Sequence, residues 1–137
     1  MANTTFSKEE KAAMRAAAAE AKAAKAGADM AAACEAAIAA MEGSDRELAQ
    51  GLHDLVAEHT ALSPKTWYGM PAYVNAAGKV VVFFQAAAKF KYRYATVGFQ
   101  EDAALDDGNL WATSFAVTKL GSAEKKQLTA LLKKAAG

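Results

Sequence analysis

A single cysteine among 137 residues rules out an internal disulfide, and makes a reducing compartment the default expectation. Because Cys34 has no cysteine partner, it also argues against a zinc site built on thiolates. The two histidines, His53 and His59, lie six apart, so the i, i+4 spacing that puts two ligands on one helix face is missing. Neither sign of charge is in excess, with 16 basic against 15 acidic residues. No global field therefore favours nucleic acid or a membrane surface. No run approaches the roughly 20 apolar residues needed to span a bilayer. The stretch "MANTTFSKEEKAAM" places acids beside its lysines and has no apolar segment of the signal-peptide kind. These absences set the expectation of a soluble cytoplasmic protein. G-x-S-x-G, P-loop and H-E-x-x-H patterns are also lacking. No nucleophile–base pair stands out, so a non-enzymatic role ranks above an enzyme.

Large side chains are scarce at the start. Hydrophobic residues make up 53% of the chain, but much of that is alanine, and the bulkier ones come mostly after residue 47. The core is expected there. Ser7 with Glu10 reads as a capping box, and "KEEKAAMRAAAAEAKAAKA" as a helix ending at Gly27. Lys8, Lys11, Arg15, Lys22 and Lys25 line one face of it, diluted by Glu9, Glu10 and Glu20. A second helix is expected from about Ala28 to Met41, with an apolar stripe of Met30, Cys34, Ile38 and Met41. On that stripe Cys34 reads as a buried, inert thiol. Ser44 and Glu47 form another capping box, and a third helix runs from about Asp45 to His59. "TALSPK" reads as a turn, because Pro64 prevents the helix from continuing.

The pattern then changes period. "PAYVNAAGKVVVFFQ" predicts two strands joined near Asn75 to Gly78. "KFKYRYATVGF" predicts a third, and "WATSFAVTK" a fourth after the "EDAALDDGN" loop. Gly121 and Ser122 open a last helix with Leu128, Leu131 and Leu132 facing inward. The expectation is α+β: helices packed on a four-stranded, mainly antiparallel sheet, with an extra alanine-rich N-terminal helix. The division drawn is an extension at 1–27 and a domain at 28–137.

Aromatic residues concentrate at "TWYGMPAY". Strand alternation puts Phe90, Tyr92 and Tyr94 on one side, and Lys91, Arg93, Ala95, Val97 and Phe99 on the other. Val80, Val82 and Phe84 oppose Val81 and Phe83. A sheet apolar on both sides is either covered twice, by the first helices or another copy of the chain, or exposes one side to a ligand. The second alternative predicts a groove of Tyr73, Tyr92 and Tyr94, with Trp67, Tyr68 and Trp111 at its rim and Lys89, Lys91 or Arg93 nearby. Rings with polar tips beside cations suit a small molecule or peptide. A separate acidic ridge, Glu47, Asp54 and Glu58, recurs at spacings that stack on one helix face, where hard cations bind weakly. Asp106 and Asp107 read first as a turn.

"TWYGMPAY", "GKVVVFFQAAAKFKYRYATVGF" and "LDDGNLWATSFAV" resemble the YdhG-like family of small bacterial domains. That family includes a Bacillus member described as a frataxin-like intracellular iron chaperone. The likeness covers about residues 30 to 135. Relatives carry proline after the tryptophan of the third stretch, where this chain has Ala112. The resemblance implies helices on an antiparallel sheet. It implies weakly held iron, with Glu47, Asp54 and Glu58, and Glu101, Asp102, Asp106 and Asp107 beside them, as the carboxylates able to serve. The partners expected are therefore iron or a small organic ligand, with a homodimer permitted by the doubly apolar sheet.

Overall fold

The computed structural model describes residues 7–137; the first six residues of the alanine-rich extension lie outside the described residues. The chain folds into α1 (Lys8–Ala39), α2 (Gly43–His59), β1 (Ser63–Trp67), β2 (Met70–Val74), β3 (Val80–Gln85), α3 (Ala87–Phe90), β4 (Ala95–Phe99), β5 (Ser114–Val117) and α4 (Ser122–Ala136). The five strands form one sheet in sequence order, each antiparallel to the next. This is the expected α+β class, with five strands in place of four.

The first helix is longer than the sequence suggested. Ser7 caps it by accepting the Glu10 N–H at 3.1 Å, but the helix does not stop at Gly27. It runs unbroken for 32 residues, through the point where the extension was divided from the domain. One helical glycine costs about 1 kcal/mol, too little to interrupt alanine, the strongest helix former, on both sides. Every residue from Ser7 to Met30 is exposed, so propensity sustains this part of the helix. Only Cys34 and Ile38 of α1 are buried. Met30, expected in the apolar stripe, is 48% exposed.

The extra strand is β1, which the proline at its second position disguised as a turn. Proline is tolerated in a strand at a sheet edge, where its missing N–H leaves no ladder bond unmade, and β1 is an edge. Pro64 stands opposite Tyr73 and Trp67 opposite Met70.

Directly opposed residues share a face, so the register sorts the sheet. Tyr73, Val82 and Phe99 form one cross-strand row, with Phe84 and Val97 beside it. These residues pack with Cys34 and Ile38 of α1, Leu48, Leu52 and Val56 of α2, and Leu128 and Leu132 of α4 in a single core. The opposite face carries a row of Lys65, Ala72, Phe83, Gly98 and Ser114 across all five strands. Phe83 crosses Gly98 so closely that it occupies the space a side chain there would need. Beyond the Tyr73–Val82 row β3 carries an extra residue at Val81, where the register with β2 shifts.

The expected third strand is half a strand. Ala87 to Phe90 form a single helical turn, α3, closed by Lys91 at φ 56°. The Tyr92 N–H donates to the Ala87 carbonyl at 2.9 Å, and pairing resumes only at Ala95. The alternation expected of Phe90, Tyr92 and Tyr94 therefore does not exist. The cause lies far away in sequence. Asp45, in the first turn of α2, is buried, and its two carboxylate oxygens accept the Ala87 and Ala88 N–H groups at 2.9 and 3.0 Å. That carboxylate supplies the N-terminal cap a short helix needs. Ser44 and Glu47 do not form the capping box expected of them; α2 begins at Gly43 without a side-chain cap.

Replacing Gly27 with Ala tests whether propensity alone sustains the exposed half of α1. The substitution meets nothing within 4 Å and should slow amide exchange across residues 20–30 about fivefold, equivalent to about 1 kcal/mol of local stability. Unchanged exchange would show that another restraint holds this segment.

Candidate functional site

The hairpin between β1 and β2 turns on two residues, Tyr68 and Gly69. Both have positive φ, 50° and 77°, the signature of the I′ turn that matches strand twist. Asn-Gly is the usual solution. A tyrosine in the left-handed region costs roughly 1–2 kcal/mol, and burial returns little of it, because Tyr68 is 82% exposed. Its one aromatic neighbour among the described residues is Trp67, edge-on at 5.0 Å between centroids. Trp67 in turn leans on Phe83 of the open sheet face at 5.3 Å. The turn thus holds a large ring in solvent against the preference of its own backbone.

Behind the hairpin lies a pocket of about 420 Å³. The end of α1, the start of α2, the turn at Gly69 and the capped turn α3 enclose it. Ala37, Ala40, Met41, Ala86 and Ala88 supply apolar wall, and Glu42, Asp45 and Lys89 supply charge. The Lys89 ammonium reaches toward the hairpin; a β-carbon on Gly69 would stand 3.4 Å from it. Glycine at 69 therefore serves both the turn and the opening beside Lys89.

The aromatic and basic residues singled out in the sequence separate into three places. Trp67 and Tyr68 are at the hairpin tip with Lys89 beside them. Tyr92 and Tyr94 form a second ring pair at 6.0 Å, after α3, where the Arg93 guanidinium lies 5.2 Å from the Tyr94 ring and Lys91 is exposed. Trp111 is 39% exposed in the loop before β5. Tyr73 belongs to none of these: it is 1% exposed, inside the helix-covered core. The single groove expected to unite these rings is not formed, because α3 takes Tyr92 and Tyr94 out of strand register and alternation turns Tyr73 inward.

Inside, Tyr73 completes a cluster that no sequence motif announced. Its hydroxyl lies 2.9 Å from His53 Nδ1 and 3.9 Å from the Cys34 sulfur, and Cys34 is 4.0 Å from the same imidazole nitrogen. Burial pushes both the Tyr73 phenol and the Cys34 thiol above their ordinary values, so both keep their protons at neutral pH. The Tyr73 hydroxyl and His53 Nδ1 share one hydrogen bond. The other ring nitrogen faces Glu35 at 3.8 Å. A thiol beside an imidazole is the form of a catalytic pair, but Cys34 has no exposed surface and its burial disfavours the thiolate. The cluster ties α1, α2 and β2 together through satisfied polar groups.

The acidic candidates are dispersed. Asp54 accepts the Gln50 amide N–H at 2.8 Å, Glu58 lies 3.7 Å from the His59 ring, and Glu47 borders a separate cavity with Lys119 and Lys125. Asp102 accepts from the Asn75 amide at 2.8 Å, Glu101 lines a shallow opening beside Lys65 and Lys79, and Asp106 and Asp107 are exposed. Among the described residues no three His, Cys, Asp or Glu side chains are grouped to hold a metal ion.

No family model matches the chain, and neither a curated protein nor a solved structure matches it. The site is therefore argued from its own geometry. Sequence reasoning found Trp67, Tyr68 and Lys89 but missed Glu42, Asp45, Gly69 and Phe83. Gly69 carried a usable signal, since a residue–glycine pair between two strand-like runs is a hairpin mark. Asp45 carried none, because its partners lie in another element, and Glu42 none, because only the packing of the α1–α2 junction brings it to the pocket.

Tyr68→Asn relieves the backbone cost and gives up only exposed contacts, so thermal or denaturant unfolding should show stability unchanged or raised by up to about 1 kcal/mol. Tyr68→Val, β-branched at a positive φ, should lower it by about 1 kcal/mol or more. Clear destabilisation by asparagine would mean the ring supports the fold.

Proposed function

We propose that this protein is a non-enzymatic small-molecule-binding domain whose site is the tip of the β1–β2 hairpin and the pocket behind it. The observation that carries the reading is Tyr68, an exposed ring held at a left-handed backbone position beside a pocket with an unpaired lysine. Strain of this kind persists where the surroundings over-determine it, and it concentrates at ligand clamps. The pocket has the composition of a binding site: mostly apolar walls with a few charged groups. Among the described residues a thiol–imidazole constellation, Cys34 with His53 and Tyr73, has its thiol and phenol buried in the core.

The resemblance to the YdhG-like family supplies a different candidate ligand, iron, for which the acidic ridge read from helix spacing, Glu47, Asp54 and Glu58, is the candidate holder. That ridge faces a different part of the molecule, so one method separates the two readings. A library of fragments containing amines, carboxylates, zwitterions and heteroaromatic rings is titrated into the full chain, with amide shifts mapped by NMR. Shifts are expected to cluster on Trp67 to Gly69, Ala86 to Lys89 and Ala37 to Asp45. Ferrous iron, added anaerobically in a parallel titration, should leave Glu47, Asp54 and Glu58 unmoved. Fragment binding confined to other surfaces, or no binding at all, would refute the small-molecule reading. Saturable iron shifts on the ridge would replace it with a metal carrier.

A further inference from the structure

We infer that the pocket between the hairpin tip and α3 takes a zwitterion of low molecular weight, with an amino acid as its simplest form; this rests on the small-molecule reading above. The pocket carries both signs of charge, and the two are not used on each other. Glu42 enters from the α1–α2 junction and Lys89 from α3. Among the described residues the only acid–base contacts within 4.0 Å are His53 with Glu35 and His59 with Glu58, so Glu42 and Lys89, like every other described lysine and arginine, have no counter-ion there; the Lys89 ammonium lies 5.7 Å from the Phe90 ring centre. The third charged wall residue, Asp45, is already committed: each of its oxygens accepts one α3 N–H. Asp45 therefore shapes the wall, and Glu42 and Lys89 remain as the groups able to receive a ligand.

A ligand of one sign would satisfy one of them and leave the other as it was. A ligand carrying an ammonium and a carboxylate satisfies both, the carboxylate on the Lys89 ammonium and the ammonium on the Glu42 carboxylate. The rest of the wall agrees with a short aliphatic spacer or side chain. Ala37, Ala40, Ala86 and Ala88 offer small apolar contacts without competing donors. Gly69 keeps the approach to Lys89 free of a side chain. A volume of about 420 Å³ admits such a molecule with room for water, which bridges polar contacts at little cost. Both charged residues are exposed, so the attraction is screened and the affinity is weak, with dissociation constants in the millimolar range.

The test uses the full chain and amide shifts at Ala40, Gly69 and Ala88. Alanine, leucine and γ-aminobutyrate are titrated beside versions lacking one charge: the N-acetylated acids and the carboxamides. At least one zwitterion is expected to saturate these shifts, with each single-charge version at least about fivefold weaker. Lys89→Met and Glu42→Gln should each weaken the zwitterion about fivefold. The double exchange Lys89→Glu with Glu42→Lys should recover most of the loss, because the ligand can reverse. Equal affinity for the N-acetylated form would make this an anion site, and equal affinity for the carboxamide a cation site; either overturns the inference. So does binding unaffected by both single variants. If other fragments bind the pocket and no zwitterion does, the inference falls while the small-molecule reading stands. If no small molecule binds, both fall.

Discussion

Asp45 connects parts of the molecule that nothing in the sequence links. Its side chain leaves the first turn of α2, is buried, and accepts two backbone N–H groups at the start of α3. Ala87 is half-buried and Ala88 exposed, so water can replace the carboxylate in part; each hydrogen bond to the charged acceptor is still worth about 1.5–3 kcal/mol. With it, the chain leaving β3 turns into a helix and not onward as strand. Lys89 then projects toward the hairpin, Tyr92 and Tyr94 leave the strand register, and a pocket opens between α2, α3 and the β1–β2 turn.

The two faces of the sheet answer to different constraints. One is covered by α1, α2 and α4, and there Cys34, His53 and Tyr73 satisfy one another's polar groups. The other keeps Phe83 over Gly98 with Trp67 beside it, partly shielded by their own contacts. The strain and the unpaired charge meet at the hairpin tip between these faces. Tyr68 sits at a backbone position that favours asparagine or glycine, and Lys89 lies beside the next residue, Gly69, with no ion-pair partner among the described residues. Features that lower stability locally are expected where a protein meets a ligand.

Much of the fold was legible because it depends on local signals. The β2–β3 hairpin follows from Asn75 and Gly78, and the Asn75 side chain does close the loop by accepting the Ala77 and Lys79 N–H groups. The last helix begins where glycine and serine said it would, with Glu124 accepting the Gly121 N–H. The misread elements share one cause, the override of a local signal by context. Gly27 looks like a stop but lies in alanine that carries the helix through it. Pro64 looks like a turn but stands at a sheet edge. "AAAKF" looks like the approach to a strand but receives a cap from a residue 42 positions away. The site was legible only as a residue inventory. Trp67, Tyr68 and Lys89 could be named from their chemistry, whereas their separation from Tyr73, and the arrival of Glu42 and Asp45, follow from register and long-range packing.

The most direct measurement of this account is amide hydrogen exchange at Ala87 and Ala88 in the native protein and in Asp45→Ala. The native amides should be protected. In the variant they should exchange at least about tenfold faster, while Val82 and Phe84 in the core keep their protection. Equal exchange at Ala87 and Ala88 in the two proteins would contradict the claim that one buried carboxylate holds α3, and with it the wall of the pocket.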